Sequence, residues 1–108
     1  MWFCFNDAFV SAVQDKDRPG HLLVRARRKA HLTKLFPKKM KITETPKRDY
    51  RWRVSVPAKV WADLVAKRVM EIDYGNFKDS VKEDALHDMY ALWWNDHYRY
   101  QTRRQKWG

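Results

Sequence analysis

Over residues 50–56 apolar and polar side chains alternate without a break: Trp52, Val54 and Val56 share one side, Arg51, Arg53 and Ser55 the other. That period of two belongs to a half-buried strand. Shorter β-type runs, Trp2-Phe3-Cys4-Phe5 and Phe9-Val10-Ser11-Ala12-Val13, are parted by Asn6-Asp7 and predict a hairpin. The turn Asp17-Arg18-Pro19-Gly20 leads into a third strand over 21–27, and residues 41–45 predict a weaker one. Elsewhere the period lengthens. Ala30, Leu32, Leu35 and Phe36 predict a short helix over 29–36, closed by Pro37. Pro57 suits the start of a second helix, whose stripe is Trp61, Leu64, Val65, Val69 and Ile72. Past Asp73-Tyr74-Gly75-Asn76, Ser80 and Glu83 match a capping box. Leu86, Met89, Tyr90, Trp93, His97 and Tyr100 then recur at helical spacing, predicting one long amphipathic helix.

The order β-β-β-α-β-β-α-α predicts an α+β fold: an antiparallel sheet of about four or five short strands, with two or three helices on one face. The second face of such a sheet is left free. Residues 1–108 read as one compact domain with a basic tail over 99–108.

Composition removes several classes. Six Trp, five Tyr and five Phe are more aromatic surface than a solvated, disordered chain carries. Cys4 is alone, which excludes a disulfide scaffold. No run approaches the roughly 20 apolar residues of a membrane span. The first residues lack a basic lead and break at Asn6-Asp7, so no signal peptide and a cytoplasmic location are expected.

Charge changes the picture more. The formal net charge is +10, and residues 18–53 hold 13 basic side chains against 2 acidic ones. Residues 54–98 are net acidic, and residues 99–108 add four basic groups and no acidic one. Evenly spread charge would serve solubility, whereas this concentration gives a directional field.

Chemistry-bearing patterns are few. The four His show no H-x-x-x-H spacing, and no nucleophile elbow or phosphate-cradling glycine loop is present. Cys4 lies in an aromatic strand and reads as a buried, inert thiol. Asp79, Glu83, Asp84 and Asp88 open a helix, where carboxylates favour the positive dipole end. No enzyme, cofactor or metal is expected.

The basic set is more specific. Arg25 and Arg27 alternate on one strand, Arg51 and Arg53 on another, so one sheet with helices behind it would project all four from the same face. Arg28, Lys29, Lys34, Lys38, Lys39 and Lys41 would surround them. Guanidinium forks bind phosphate in bidentate fashion, and neutralising several phosphates gives strong, salt-sensitive binding. The competing reading is a solvated face whose arginines keep sheet edges from pairing. Trp61 and Trp93 fall on apolar stripes, and Trp52 faces inward. Trp94 and Tyr98 fall beside the last stripe, and Trp107 lies in the tail with Arg103, Arg104 and Lys106. Such aromatics stack on unpaired bases or anchor protein interfaces. The candidate contact set is Arg25, Arg27, Arg28, Lys29, Arg51 and Arg53, with Arg103, Arg104 and Trp107 from the tail.

Trp2 with Phe9-Val10-Ser11-Ala12-Val13, then Leu23-Val24-Arg25-Ala26-Arg27, Asp49-Tyr50-Arg51-Trp52-Arg53, Val56-Pro57 and Ile72-Asp73-Tyr74-Gly75-Asn76-Phe77-Lys78 span most of the chain. Together these segments resemble a group of small bacterial and phage proteins to which no activity is attached. The resemblance implies a compact domain in a prokaryotic or phage setting and no catalytic residue. The expected partner is nucleic acid or a nucleoprotein complex. The alternative is a phage-type inhibitor or adaptor, for example anti-CRISPR-like, that blocks a host protein complex.

Overall fold

In the computed structural model, which describes residues 1–103, five strands form one antiparallel sheet. They are β1 (Trp2–Cys4), β2 (Phe9–Gln14), β3 (His21–Ala26), β4 (Thr43–Glu44) and β5 (Trp52–Pro57), in spatial order β1-β2-β3-β5-β4. The helices are α1 (Lys29–Leu35), α2 (Ala58–Met70), the single turn α3 (Phe77–Ser80) and α4 (Asp84–Thr102). The α+β class and the chain order agree with the alternation of periods along the sequence. Gly20 takes φ +78° in the β2–β3 turn, the left-handed conformation that a residue without Cβ adopts at no steric cost.

Register decides which side chains share a face. Val24 pairs with Val54 and with Ala12, and Leu22 with Val56. Val10, Ala12, Val24, Ala26, Val54 and Val56 thereby line one face, where Leu32, Leu35 and Phe36 from the α1 region and Trp61 from α2 close the main core. Trp52 packs against this core from the edge, as its position in the alternation requires.

The second face is not left free. Phe9, on the opposite side of β2 from Val10, joins Tyr50, Val81, Leu86 and Tyr90 in a second buried cluster, with Phe77, Met89 and Trp93 packed against it. Trp93 meets Phe9 edge-on at 4.9 Å and stacks on Trp2 at 5.3 Å. The Tyr90 hydroxyl donates toward the Phe5 and Ala8 carbonyls, at 2.9 and 3.1 Å, tying α4 to the β1–β2 turn. Two helices therefore cover one face, and α4 covers the β1–β2 corner of the other.

Four local expectations fail. The capping box does not form: Asn76 caps α3 by accepting from the Asp79 N–H, and Glu83 itself caps α4 by accepting from the Leu86 N–H. Ser80 ends α3 instead, one turn before α4 begins. The α2 stripe stops early, with Val69 56% and Ile72 54% exposed. The last turn of α2 has reached the β1–β2 turn, where Arg68 grips Asp7 with two bonds of 2.9 and 3.0 Å, so no sheet lies beneath Val69 and Ile72. In α1 it is His31 that turns inward while Ala30 is exposed. Cys4 is exposed, because β1 is an edge strand that α4 covers only in part.

Beyond Trp93, α4 leaves the body of the protein, and Trp94, Tyr98 and Tyr100 are 52%, 52% and 81% exposed. The radius of gyration, 15.7 Å, exceeds the about 13 Å of a compact chain this long for that reason. No helix among the described residues is long and apolar enough to cross a membrane.

Candidate functional site

Arg25 on β3 and Arg53 on β5 are register partners, so two guanidinium groups start side by side on the second face. Like charges placed this way repel, and the surrounding residues answer the repulsion. The chain enters β5 through Asp49 and Tyr50, and the Tyr50 ring, 4% exposed, receives both Arg25 and Arg27 at 4.5 and 4.4 Å from its centre. Arg25 Nη2 donates to Ser11 Oγ at 2.9 Å, while its Nε is buried without a hydrogen-bond partner. Arg53 Nε donates to Thr45 Oγ1 and the Tyr50 carbonyl, and its Nη2 reaches Asp49 Oδ1 at 3.4 Å.

Hydrogen bonding, burial and the neighbouring charges shift two groups of the block. The Asp49 carboxyl is held below the usual carboxylate range, first by the Tyr50 N–H bonded to it, then by Arg25, Arg53 and Arg27. Burial and the adjacent Arg25 lower Arg53, which still carries its charge at any physiological pH. With a side chain only 14% exposed, Arg53 is a structural cation rather than a free one.

The outward-facing charges form a rim around this block. Arg27 follows the last residue of β3 and donates to the Asp49 carbonyl at 2.7 Å. Arg28 and Lys29 start α1; Arg28 meets Glu83 at 3.2 Å, and the Lys29 ammonium lies 5.5 Å over Trp52. Arg51, just before β5, pairs with Glu44 at 2.9 Å beside the same indole. Lys47 and Arg48 are exposed in the β4–β5 turn, close enough for Arg48 to act on Arg53. The rim gathers here because Ala26 pairs with Trp52, which brings the exit of β3 and the entry of β5 to one end of the sheet.

One local choice runs against helix chemistry. The α1 start carries Arg28 and Lys29, with no side-chain cap and no acidic residue in its first turn. Cations there oppose the helix dipole, at a cost of a few tenths to about 1 kcal/mol each.

Of the residues singled out from the sequence, Arg25, Arg27, Arg28, Lys29, Arg51 and Arg53 come together at this end of the sheet. They do not form one open face, since Tyr50 fills its centre and α4 its corner. Lys34 turns away, donating to the Asp7 carbonyl. Arg103 caps the far end of α4, whose 19 residues separate it from Glu83 by about 28 Å of helix. Arg104 and Trp107 lie outside the described residues. Tyr50, Lys47 and Arg48 were missed. Alternation starting at Tyr50 would put its ring on the side of Trp52 and Val54, but the strand begins only at Trp52 and Tyr50 packs into the second core.

Among the described residues no group of His, Cys, Asp and Glu is gathered as a metal site would require. No family model, curated protein or solved structure matches this chain.

Proposed function

We propose that this protein is a non-catalytic, cytoplasmic binding module for nucleic acid or a nucleoprotein complex, contacting phosphates through the rim of Arg27, Arg28, Lys29, Lys47, Arg48 and Arg51. The observation that carries the reading is the convergence of these cations, from segments some twenty residues apart in sequence, on one end of the sheet. Of the six, Arg28 and Arg51 pair with a carboxylate, both pairs are exposed, and exposed pairs hold by about 1 kcal/mol or less, so phosphate can displace them. The partly buried Arg25–Tyr50–Arg53 block acts as the footing that fixes the rim.

Titration of short RNA and DNA at two salt concentrations tests this. Affinity is expected to fall steeply with salt, and the double variant Arg28→Gln, Lys29→Gln to reduce the slope by about one unit per lost contact. Undetectable binding at low salt overturns the reading.

A second reading is the inhibitor or adaptor that docks on a host protein. Val69, Met70 and Ile72, exposed together at the end of α2, favour it, since clustered apolar surface suits a protein partner. Pull-down with and without nuclease separates the two: a partner retained after nuclease supports docking on protein, and one lost with the nucleic acid supports the rim.

A further inference from the structure

The turn that joins α2 to α3, Cys4 of β1 and the α4 side chains from Tyr90 to His97 line an open cleft of about 400 Å³. The rim does not use it. Its floor is the edge of the second core, Phe77 and the buried Tyr90, 4.9 Å apart, with Trp93 beside Tyr90, and Trp94 is its half-exposed ring. His97 and Lys78 supply polar groups, and the Lys78 ammonium rests 4.6 Å over the Trp94 ring. Resting on the reading of the rim as a phosphate contact, we propose that this cleft seats an unpaired base, so that the ligand class is single-stranded nucleic acid rather than duplex.

Three observations carry the choice. The Trp94 indole, 52% exposed and stacked on Tyr98 at 5.8 Å, matches the face of a base, which a duplex hides within its stack and a single strand leaves open. A cleft of this size lies at the small end of ligand sites, enough for one ring system with its sugar. The charge placement is complementary as well. Lys78, a long and flexible cation, can swing from the Trp94 ring to a phosphate beside the seated base and bare the indole as it moves. Arg28 of the rim is bonded to Glu83, the residue that caps α4, and Trp93 and Trp94 come ten and eleven residues later. At the helical rise this sets cleft and rim about 15 Å apart, the reach of a few nucleotides of extended strand.

The segment Ile72-Asp73-Tyr74-Gly75-Asn76-Phe77-Lys78 gains a role from this arrangement. Tyr74 and Phe77 pack together, Asn76 caps α3, and Gly75 to Lys78 form one wall of the cleft. It is more than a turn between helices.

The test uses the full chain with three probes: a short oligothymidine strand, its duplex with oligoadenosine, and an abasic strand of equal length. The intact protein is expected to bind the oligothymidine more tightly than the other two. Trp94→Ala, at a half-exposed position that the fold does not depend on, is expected to weaken the oligothymidine about five- to a hundredfold. It should leave abasic binding and the salt slope unchanged, whereas Lys78→Gln lowers the slope by about one unit. Equal affinity for all three probes, or indifference to Trp94→Ala, overturns the base-seating cleft and leaves the rim standing. Failure to bind any probe at low salt overturns the rim itself, and the cleft with it.

Discussion

Arg25 and Arg53 face each other across adjacent strands, and the Asp49 carboxylate, next to the ring that supports Arg25, reaches Arg53 at 3.4 Å and feels the charge of both. Two like charges side by side in a sheet are an unfavourable pair unless a counter-charge is fixed nearby. Asp49→Asn keeps the shape and the Tyr50 N–H contact but removes the charge. The variant should melt below the parent in dilute buffer, and the gap should narrow as salt screens the two guanidinium groups. No gap, or one that salt leaves unchanged, would show that the Asp49 charge does not offset the guanidinium pair.

Tyr50 gives a second expectation. Tyr50→Leu preserves most of the buried apolar volume and removes both cation–ring contacts, each worth about 0.5–2 kcal/mol depending on exposure. Urea unfolding should show a loss of about 1–3 kcal/mol, and Tyr50→Phe, which retains the ring, should lose much less. A double-mutant cycle with Arg27→Gln isolates the ring contact, since the coupling vanishes if Arg27 merely passes by.

His31 makes stability depend on pH. Burial pushes its imidazole below the ordinary 6.5, outweighing the hydrogen bond to the Phe9 backbone that favours protonation; Lys34 and Arg28 lower it further, and Glu83 opposes them. The unfolded chain therefore takes up the proton more readily than the folded one. The stabilisation is complete above about pH 6.5 and is lost as the pH falls through the depressed folded value. Melting temperatures should drop between about pH 7 and pH 5, and the drop should shrink in His31→Asn, whose amide stands near the Nδ1 position. Asp15 and Asp49 are lowered from 3.8 and act only below this window.

The two halves of α4 should respond oppositely to truncation and to mutation. Ending the chain after Tyr98 removes exposed helix and should leave the melting curve nearly unchanged, because the second core is complete by Trp93. Trp93→Ala should cost up to about 3 kcal/mol, the low end for a large aromatic, because the ring is only partly buried. Should the truncated chain melt far earlier and Trp93→Ala not, the overhanging half of α4 contributes stability that its exposure gives no account of.

The sequence was most legible where a local period meets a single environment. Trp52, Val54 and Val56 identify the strand and its inward side because alternation is itself the consequence of one buried face. Trp61 and Leu64 place α2 on the core in the same way. The face chosen by α4 was hidden, since a helical stripe says that a helix packs and not against what. Register was hidden too: alternation put Arg25 and Arg53 on the outer side of their strands, but only pairing makes them opposite partners. Val69 and Ile72 continue a periodic pattern past the end of the surface it fits, which periodicity alone cannot report. Ser80 and Glu83 fit a capping box by spacing, yet Asn76 starts a turn earlier that uses Ser80 as its end.

The sheet closes with strands of three residues at β1 and two at β4. A partner's peptide has almost no main-chain rail to pair with at either edge, so recognition by strand addition, which draws its affinity from backbone hydrogen bonds, is denied to this fold. Recognition by the protein then falls mainly to side chains. Its choice of partner can then be rewritten by surface substitution, one residue at a time, with the scaffold left as it is.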